Sequence, residues 1–348
     1  MNRCLAILTC FLLFWVSSDA QNYVFIEGEV FHTSYHITYQ GEENYHDSIK
    51  GLFQEIDNSL SMFNKESILS QINNNDTSVR MNQHIRTVLD RGMAISKQTD
   101  GAFDMTVAPL VNLWGFGYKH SENVTKSMVD SILSFVGYEK IKIGKDGQLK
   151  KGDNRIILDA SSIAKGYACD VVGEWLAKKG ITNYMVEIGG EVTLHGYNPK
   201  GKPWHIGINT PEEDSLSINR KPQDVLLLTQ GGVATSGNYR KFYYKDGKKY
   251  AHTIDPHTGY PVQQDILSST VIATDCMTAD AYATAFMVMG SKQALRLLEK
   301  EKSLMAYFIL SSPNTPKGYR VIYSPSLKKK LREAKESTTN GVSSESGK

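Results

Sequence analysis

A chain of 348 residues with 41% hydrophobic and 22% charged side chains has an ordinary globular composition and enough length for a sizeable core. Its 39 basic and 37 acidic side chains leave a net charge of +2, which offers no polyanion-binding surface and argues against nucleic acid as a partner. No Cys/His spacing suits zinc, and neither a Walker-type phosphate loop nor a GxGxxG turn occurs.

Residues 1–20 have the pattern of a signal peptide. Arg3 supplies a positive start, Leu5 to Val16 is an apolar run too short for a comfortable membrane span, and Ser18-Asp19-Ala20 ends in the small residues a signal peptidase accepts before Gln21. Cys10 lies inside the apolar run and not after it, which does not suit lipidation. The reading is an exported protein, in the periplasm or on the outer face of the cytoplasmic membrane, touching the membrane at most peripherally. Cys4 and Cys10 leave with the signal, and Cys169 and Cys276 read as buried free thiols.

Strand-like alternation runs from Glu29 to Tyr39. A helical spacing follows in Ile49, Leu52, Phe53, Ile56 and Leu60, and a second in Ile85, Val88, Leu89, Met93 and Ile95. GAFDMTVAPLVNLWGFG, from Gly101 onward, is compact and apolar. Residues 155–159 read as a short buried strand and 162–179 as an amphipathic helix. Strands then run from about Asn183 to Thr274, with Lys245-Asp246-Gly247-Lys248 as a hairpin turn, because Asp-Gly tolerates positive φ. Helices over 278–289 and 291–300 precede strands near 304–311 and 318–323. Helices and strands mix without the alternation of a doubly wound sheet, so the expected class is α+β: one domain over 21–326 with antiparallel-rich sheets and flanking helices. From Leu327 to the end, 327–348, the composition is that of a solvated, disordered polar tail.

Four segments can carry chemistry. In TADAYAT, Thr278 is a candidate N-cap, and Asp280 and Thr284, four residues apart, share a helix face. Their hard oxygens suit magnesium, and the helix N-terminus attracts phosphate; equally, such an Asp merely complements the helix dipole. In DASSIAKGYACD, Ser161 or Ser162 is placed to cap a helix whose first turn carries Lys165. A cation there opposes the dipole, which motivates an anionic neighbour, the alternative being a lysine free in solvent. Gly166 permits close backbone approach. In HTIDPHTGYP, Asp255-Pro256 and Gly259 make a turn, and His252 before it is a residue able to accept a hydroxyl proton near neutral pH. EIGGEV (187–192) and TSGNYRK (235–241) place glycines beside polar groups, as ligand-admitting backbone or as plain turns.

Together with SMFNKES and ILSQIN, these segments appear in an order that resembles the ApbE family of FAD:protein FMN transferases, over nearly the whole chain after residue 20. The resemblance implies a magnesium-dependent reaction in which FAD is the substrate: its pyrophosphate is cleaved, AMP leaves, and FMN is joined by a phosphoester to a threonine or serine of a target protein. It implies Asp280, Thr284 and the backbone oxygen of Ser162 as magnesium ligands. It implies Phe63, Ala102, Phe103, Asp104, Asp159, Lys165 and Ile254 as flavin-nucleotide contacts, and His252 as the base. The implied acceptor partner is an exported flavoprotein subunit or domain of a membrane redox complex. An FAD pyrophosphatase giving FMN and AMP, and a non-catalytic flavin carrier, are the alternatives. One departure stands at Phe31-His32-Thr33-Ser34: His32 takes the place of the methionine in the family's Met-Gly-Thr-like turn, and Thr33 that of its glycine.

Overall fold

The computed structural model describes residues 22–117, 123–144, 147–210, 222–238, 242–245 and 248–331. It begins with β1 (Tyr23–Val30) and β2 (Thr33–Gln40). Five helices follow: α1 (His46–Leu60), α2 (Ile68–Asn73), α3 (Gln83–Gln98), α4 (Ala108–Leu113) and α5 (Lys126–Leu133). After the small hairpin β3 (Ile141–Ile143) and β4 (Leu149–Lys151), helix α6 (Ala164–Lys178) leads into β5 (Tyr184–Ile188) and β6 (Glu191–His195). Next come β7 (Trp204–Asn209), β8 (Pro222–Leu228), β9 (Gln230–Gly237), β10 (Phe242–Lys245) and β11 (Lys248–Ala251). The remaining elements are β12 (Ile266–Ala273), α7 (Cys276–Lys300), β13 (Met305–Ser311), β14 (Tyr319–Tyr323) and a helical stretch at 325–331.

Eight strands pair antiparallel throughout in the order β1-β2-β5-β6-β9-β12-β13-β14. Side chains alternate across this sheet, so each central strand feeds two cores. Ala234, Val271 and Phe308 face the helices with Ala168 and Val172 of α6 and Ala283 and Phe286 of α7. Their neighbours Val233, Ile272 and Ile309 face the other way, onto Trp204, Ile206, Leu226 and Leu228 of the β7–β8 hairpin. Burial on both faces explains why β13, MAYFILS, is apolar almost throughout. The α+β class and its antiparallel sheet are as the sequence suggests.

The alternation over Glu29–Tyr39 belongs to a hairpin and not to one strand. Phe31 and His32 form its two-residue turn with φ of 51° and 59°, the left-handed geometry that matches strand twist. Without the Asn-Gly or Asp-Gly pair typical of such turns, it carries little local signal. Residues 155–159 form no ladder. Ile156 and Leu158 are fully buried, but the Leu158 backbone is held by the Asn73 side chain, which accepts from its N–H at 2.8 Å and donates to its carbonyl at 3.0 Å. Neither Ser161 nor Ser162 caps α6, which begins at Ala164 with no side-chain cap. Helix α7 starts before Thr278, and Asp275 is its N-cap; its two expected helices meet at Gly290 (φ 73°), where the helical geometry breaks. Residues 327–331, expected in the polar tail, belong to the folded part: Leu327 is 1% exposed and packs in the second core, with Leu331 against it. Lys245 pairs with Lys248 as a two-residue hairpin requires, though Asp246 and Gly247 lie outside the described residues, as do the expected signal peptide and residues 332–348.

Candidate functional site

Helices α6 and α7 approach so closely that a side chain at Gly166 has no room. A Cβ there would stand 2.4 Å from the Cys276 carbonyl oxygen and 2.9 Å from Asp280 Cβ. Lacking one, Gly166 donates its N–H to Asp280 Oδ2 at 3.1 Å. The neighbouring Lys165 ammonium lies 2.5 Å from Glu191 Oε1 at the start of β6. The anion that offsets Lys165 in the first turn of α6 is therefore the protein's own carboxylate. Glu191 and Asp280 are 5% and 3% exposed, and Glu191 Oε2 is buried with no hydrogen-bond partner.

One ammonium thus faces two buried carboxylates. Burial raises the affinity of Glu191 and of Asp280 for a proton, and the Lys165 charge offsets only part of this. For Lys165 itself, burial acts to lower the pKa, but the attraction of Glu191 and Asp280 outweighs it and holds the ammonium charged. With both carboxylates ionised the cluster carries excess negative charge, which a proton or a further cation would neutralise. One turn along α7, Thr284 is half-buried with its hydroxyl 3.1 Å from that of Ser236 on β9. Ser162 sits in the turn just before α6. Among the described residues no group of three or more His, Cys, Asp and Glu is placed to hold a metal ion. A metal here would rest on one carboxylate with hydroxyl and carbonyl oxygens, a donor set for hard cations.

The N-terminus of α7 is not open to phosphate. Asp170 of α6 accepts from the N–H groups of Cys276 and Met277 at 2.9 and 2.8 Å, and Asp275 Oδ1 accepts from Thr278 N–H at 2.7 Å. Desolvation pushes the Asp170 carboxyl up to about 7 against the lowering effect of those two amides. Arg91 donates from Nε and Nη2 to the Thr278 hydroxyl at 2.9 and 2.6 Å. Cys169 and Cys276 are free and buried, with their thiols toward the carbonyls of Glu191 and Val233.

A loop from Gly101 to Thr106 connects this cluster to the Asp-Pro turn. On one side Asp159 N–H donates to the Met105 carbonyl at 2.7 Å, while Asp159 Oδ1 accepts from Ser161 N–H at 2.7 Å and fixes the approach to α6. On the other side the His257 ring bridges the Asp100 carbonyl, 2.6 Å from Nε2, and Asp255 Oδ1, 3.1 Å from Nδ1. Ala102, Phe103 and Asp104 are buried within the loop. The Asp104 carboxylate accepts from Thr106 N–H and Oγ1 and from Tyr138 N–H, at 2.7, 2.7 and 2.8 Å. Burial raises its pKa despite those bonds. These three side chains shape the loop from within, which leaves main chain as its outward chemistry.

In the turn itself, Asp255 accepts from His257 N–H at 2.9 Å and the Thr258 hydroxyl at 3.1 Å, and Gly259 (φ 73°) donates to the Asp255 carbonyl at 2.8 Å. Ile254 is buried and bridges to Pro261. His252 occupies a bend just after β11, half-buried, its ring 6.4 Å from that of Phe116. Phe116 continues a ladder of rings through Tyr243, Tyr250 and Trp114, with centroids 5.2, 5.3 and 5.6 Å apart. The Trp114 indole donates to the Gly259 carbonyl at 2.7 Å. Phe63 is 66% exposed and meets His32 edge-on at 5.1 Å, so the unusual β1–β2 turn and the SMFNKES segment share one surface.

Sequence reasoning missed Glu191, His257 and the aromatic ladder as contributors. EIGGEV and the second histidine of HTIDPHTG were the available signals for the first two; the ladder, drawn from distant segments, had none.

Known proteins share this sequence pattern and fold. The model of the ApbE family matches residues 31–308. The chain is 36% identical over 326 residues to the FAD:protein FMN transferase of Haemophilus influenzae, covering 89% of this chain and 92% of that one. It is 34% identical over 338 residues to the Vibrio cholerae protein of the same name, covering 94% and 98%. Among solved structures, the flavin transferase ApbE from Vibrio cholerae superposes with a TM-score of 0.78 at 34% identity, over 88% of this chain and 99% of that one. The apo form of the Pseudomonas stutzeri flavinyl transferase ApbE gives 0.77 at 28% identity, over 89% and 96%. The fold and these relatives define a flavin-transferase class of α+β protein. This chain belongs to the ApbE family.

Proposed function

We propose that this protein is a transferase that moves FMN from FAD to a threonine or serine hydroxyl of a target protein, with magnesium, releasing AMP. Family membership supports flavin transfer from FAD to protein. The single structural observation that carries the chemistry is the half-buried Lys165 ammonium facing the buried carboxylates Glu191 and Asp280, with Thr284 one turn from Asp280 on the same helix.

Asp280, Thr284 and the Ser162 carbonyl would hold the magnesium ion; one carboxylate with hydroxyl and carbonyl oxygens fits it. Bound there, it supplies positive charge against the pyrophosphate of FAD. Lys165 carries a second positive charge for the oxygens that gain charge as AMP departs. The attacking hydroxyl oxygen forms a bond to the FMN phosphorus, and the bond from that phosphorus to the bridging oxygen breaks, leaving with AMP. His252 receives the hydroxyl proton. The loop of Ala102 to Asp104, with Asp159 and Ile254, offers main chain and apolar walls to the nucleotide, and exposed Phe63 a face for a ring.

Protein freed of residues 1–20 should release AMP from FAD with magnesium and place covalent flavin on an added acceptor domain carrying a threonine. Free FMN at the same rate, with no attachment to any acceptor, would make the protein a pyrophosphatase instead. Asp280→Ala should lower AMP release by at least ~100-fold and remove thermal stabilisation by magnesium; a retained magnesium response removes Asp280 from the ligand set. His252→Ala should slow transfer ~100-fold or more with FAD binding intact, and unchanged transfer would remove it as base. The same reading places the protein and its acceptor, a flavoprotein of a membrane redox complex, outside the cytoplasm; N-terminal sequencing of the exported form should begin at Gln21.

A further inference from the structure

Glu191 enters β6 directly after Gly189-Gly190, whose φ values of 63° and 105° close a two-residue hairpin between Ile188 and Glu191. Glu187 Oε1 ties that turn by accepting from Gly190 N–H at 2.6 Å, and the Cys169 thiol donates to the Glu191 carbonyl at 3.2 Å. The backbone that carries Glu191 is therefore fixed on a paired strand.

Its side chain is costly to keep. A buried ion pair contributes little net stability compared with apolar packing, and a carboxylate oxygen buried without a donor is unfavourable outright. Glu191 accepts both conditions: the side chain is 7% exposed, Oε1 meets Lys165, and Oε2 is buried with no hydrogen-bond partner. Lys165 explains why. Its flexible stem leaves the side chain 30% exposed, and in the first turn of α6 its charge opposes the helix dipole. Without a fixed anion on the sheet side, solvent would be the better place for that ammonium.

We propose that Glu191 is a positioning residue for flavin transfer: held rigidly by the β5–β6 hairpin, it pins the Lys165 ammonium on the inner side of α6, beside Asp280, where the FAD pyrophosphate is cleaved. Glu191 acts through Lys165 and touches no reacting atom. This inference rests on the transferase reading for its substrate.

A double-mutant cycle with Glu191→Gln and Lys165→Gln tests it, since residues that act as one unit are non-additive. Two quantities are read in wild type, both single variants and the double: kcat for AMP release with magnesium, and Kd for FAD in metal-free buffer, where nothing turns over. Each single variant should lower kcat roughly 10- to 100-fold, and the double variant should match Lys165→Gln within about twofold. FAD affinity should show the same non-additivity. Losses that multiply in the double variant, or an unimpaired Glu191→Gln, would overturn the role. If Glu191→Gln does not fold, judged by its melting transition, Glu191→Asp enters the same cycle with the same criterion. Should the wild type release no AMP, the transferase reading fails, while the metal-free affinities still report whether Glu191 acts through Lys165.

Discussion

Gly166 sets the helix spacing on which this site depends. It is the point where α6 touches α7, and its N–H reaches Asp280 only because no Cβ intervenes. Gly166→Ala puts a methyl against the Cys276 carbonyl, part of a helix backbone that cannot step aside, so the helices must separate. The expected cost is about 1–3 kcal/mol of stability, read by denaturant unfolding, together with a weakened thermal response to magnesium. A variant as stable as the parent would mean that the approach of the two helices is softer than it looks. His257 gives a second prediction at this scale. Burial alone would lower its pKa, but the Asp100 carbonyl and the Asp255 carboxylate raise it above the ordinary value. A folded-state pKa above the unfolded value of ~6.5 means the clamp stabilises fully below that pH and is lost as pH rises through the higher folded value. Amide exchange across residues 255–260 should therefore quicken at alkaline pH beyond the ordinary base-catalysed rise, and His257→Phe should remove the excess. The ring is half exposed, so the effect on global stability should be small.

At the scale of elements, α7 shows how a helix end is assigned by its surroundings. TADAYAT reads locally as a helix beginning at a threonine cap, whereas the helix begins earlier because Asp275 caps it and Asp170, from α6, takes the two amides before Thr278. Asp275→Ala should cost about 1 kcal/mol, measured by thermal or urea unfolding, with little change in the Lys165–Asp280 cluster several residues on. The apolar spacing that announced α1 and α3 worked because each buries one stripe: Ile49, Phe53 and Ile56 in one, Ile85, Val88 and Leu89 in the other. Residues 155–159 show the opposite case. Their apolar run was real, and both Ile156 and Leu158 are buried, but an asparagine from α2 satisfies the backbone where a strand neighbour was expected. The Phe31-His32 turn was invisible for a related reason: two successive positive φ values are imposed by the pairing of β1 with β2, and Phe31 does not favour one.

For the whole molecule, the second core beneath the sheet draws Leu327 and Leu331 into the fold. A chain cut after residue 326 loses Leu327 from the pocket formed with the β7–β8 hairpin, and should be destabilised by about 2–5 kcal/mol relative to one ending at 331. Equal urea midpoints for the two would show that the last helical stretch is dispensable. Composition had marked this stretch as tail because Lys328, Lys329 and Lys330 outnumber the apolar residues around them, yet Leu327 is buried in the second core with Leu331 packed against it. The sequence by itself determined the α+β class, the main amphipathic helices, the family, and the identity of Asp280, Thr284, Lys165 and His252 as residues worth testing, because spacing within a helix face and the order of segments are local properties of the chain. Only the tertiary structure decided that Lys165 is paired with Glu191, that α7 closes its own N-terminus with Asp170 and Asp275, and that His257 ties the Asp-Pro turn to the Gly101 loop. Each of those depends on contacts between segments far apart in the chain, and burial there sets the charge state, which no local pattern of residues encodes.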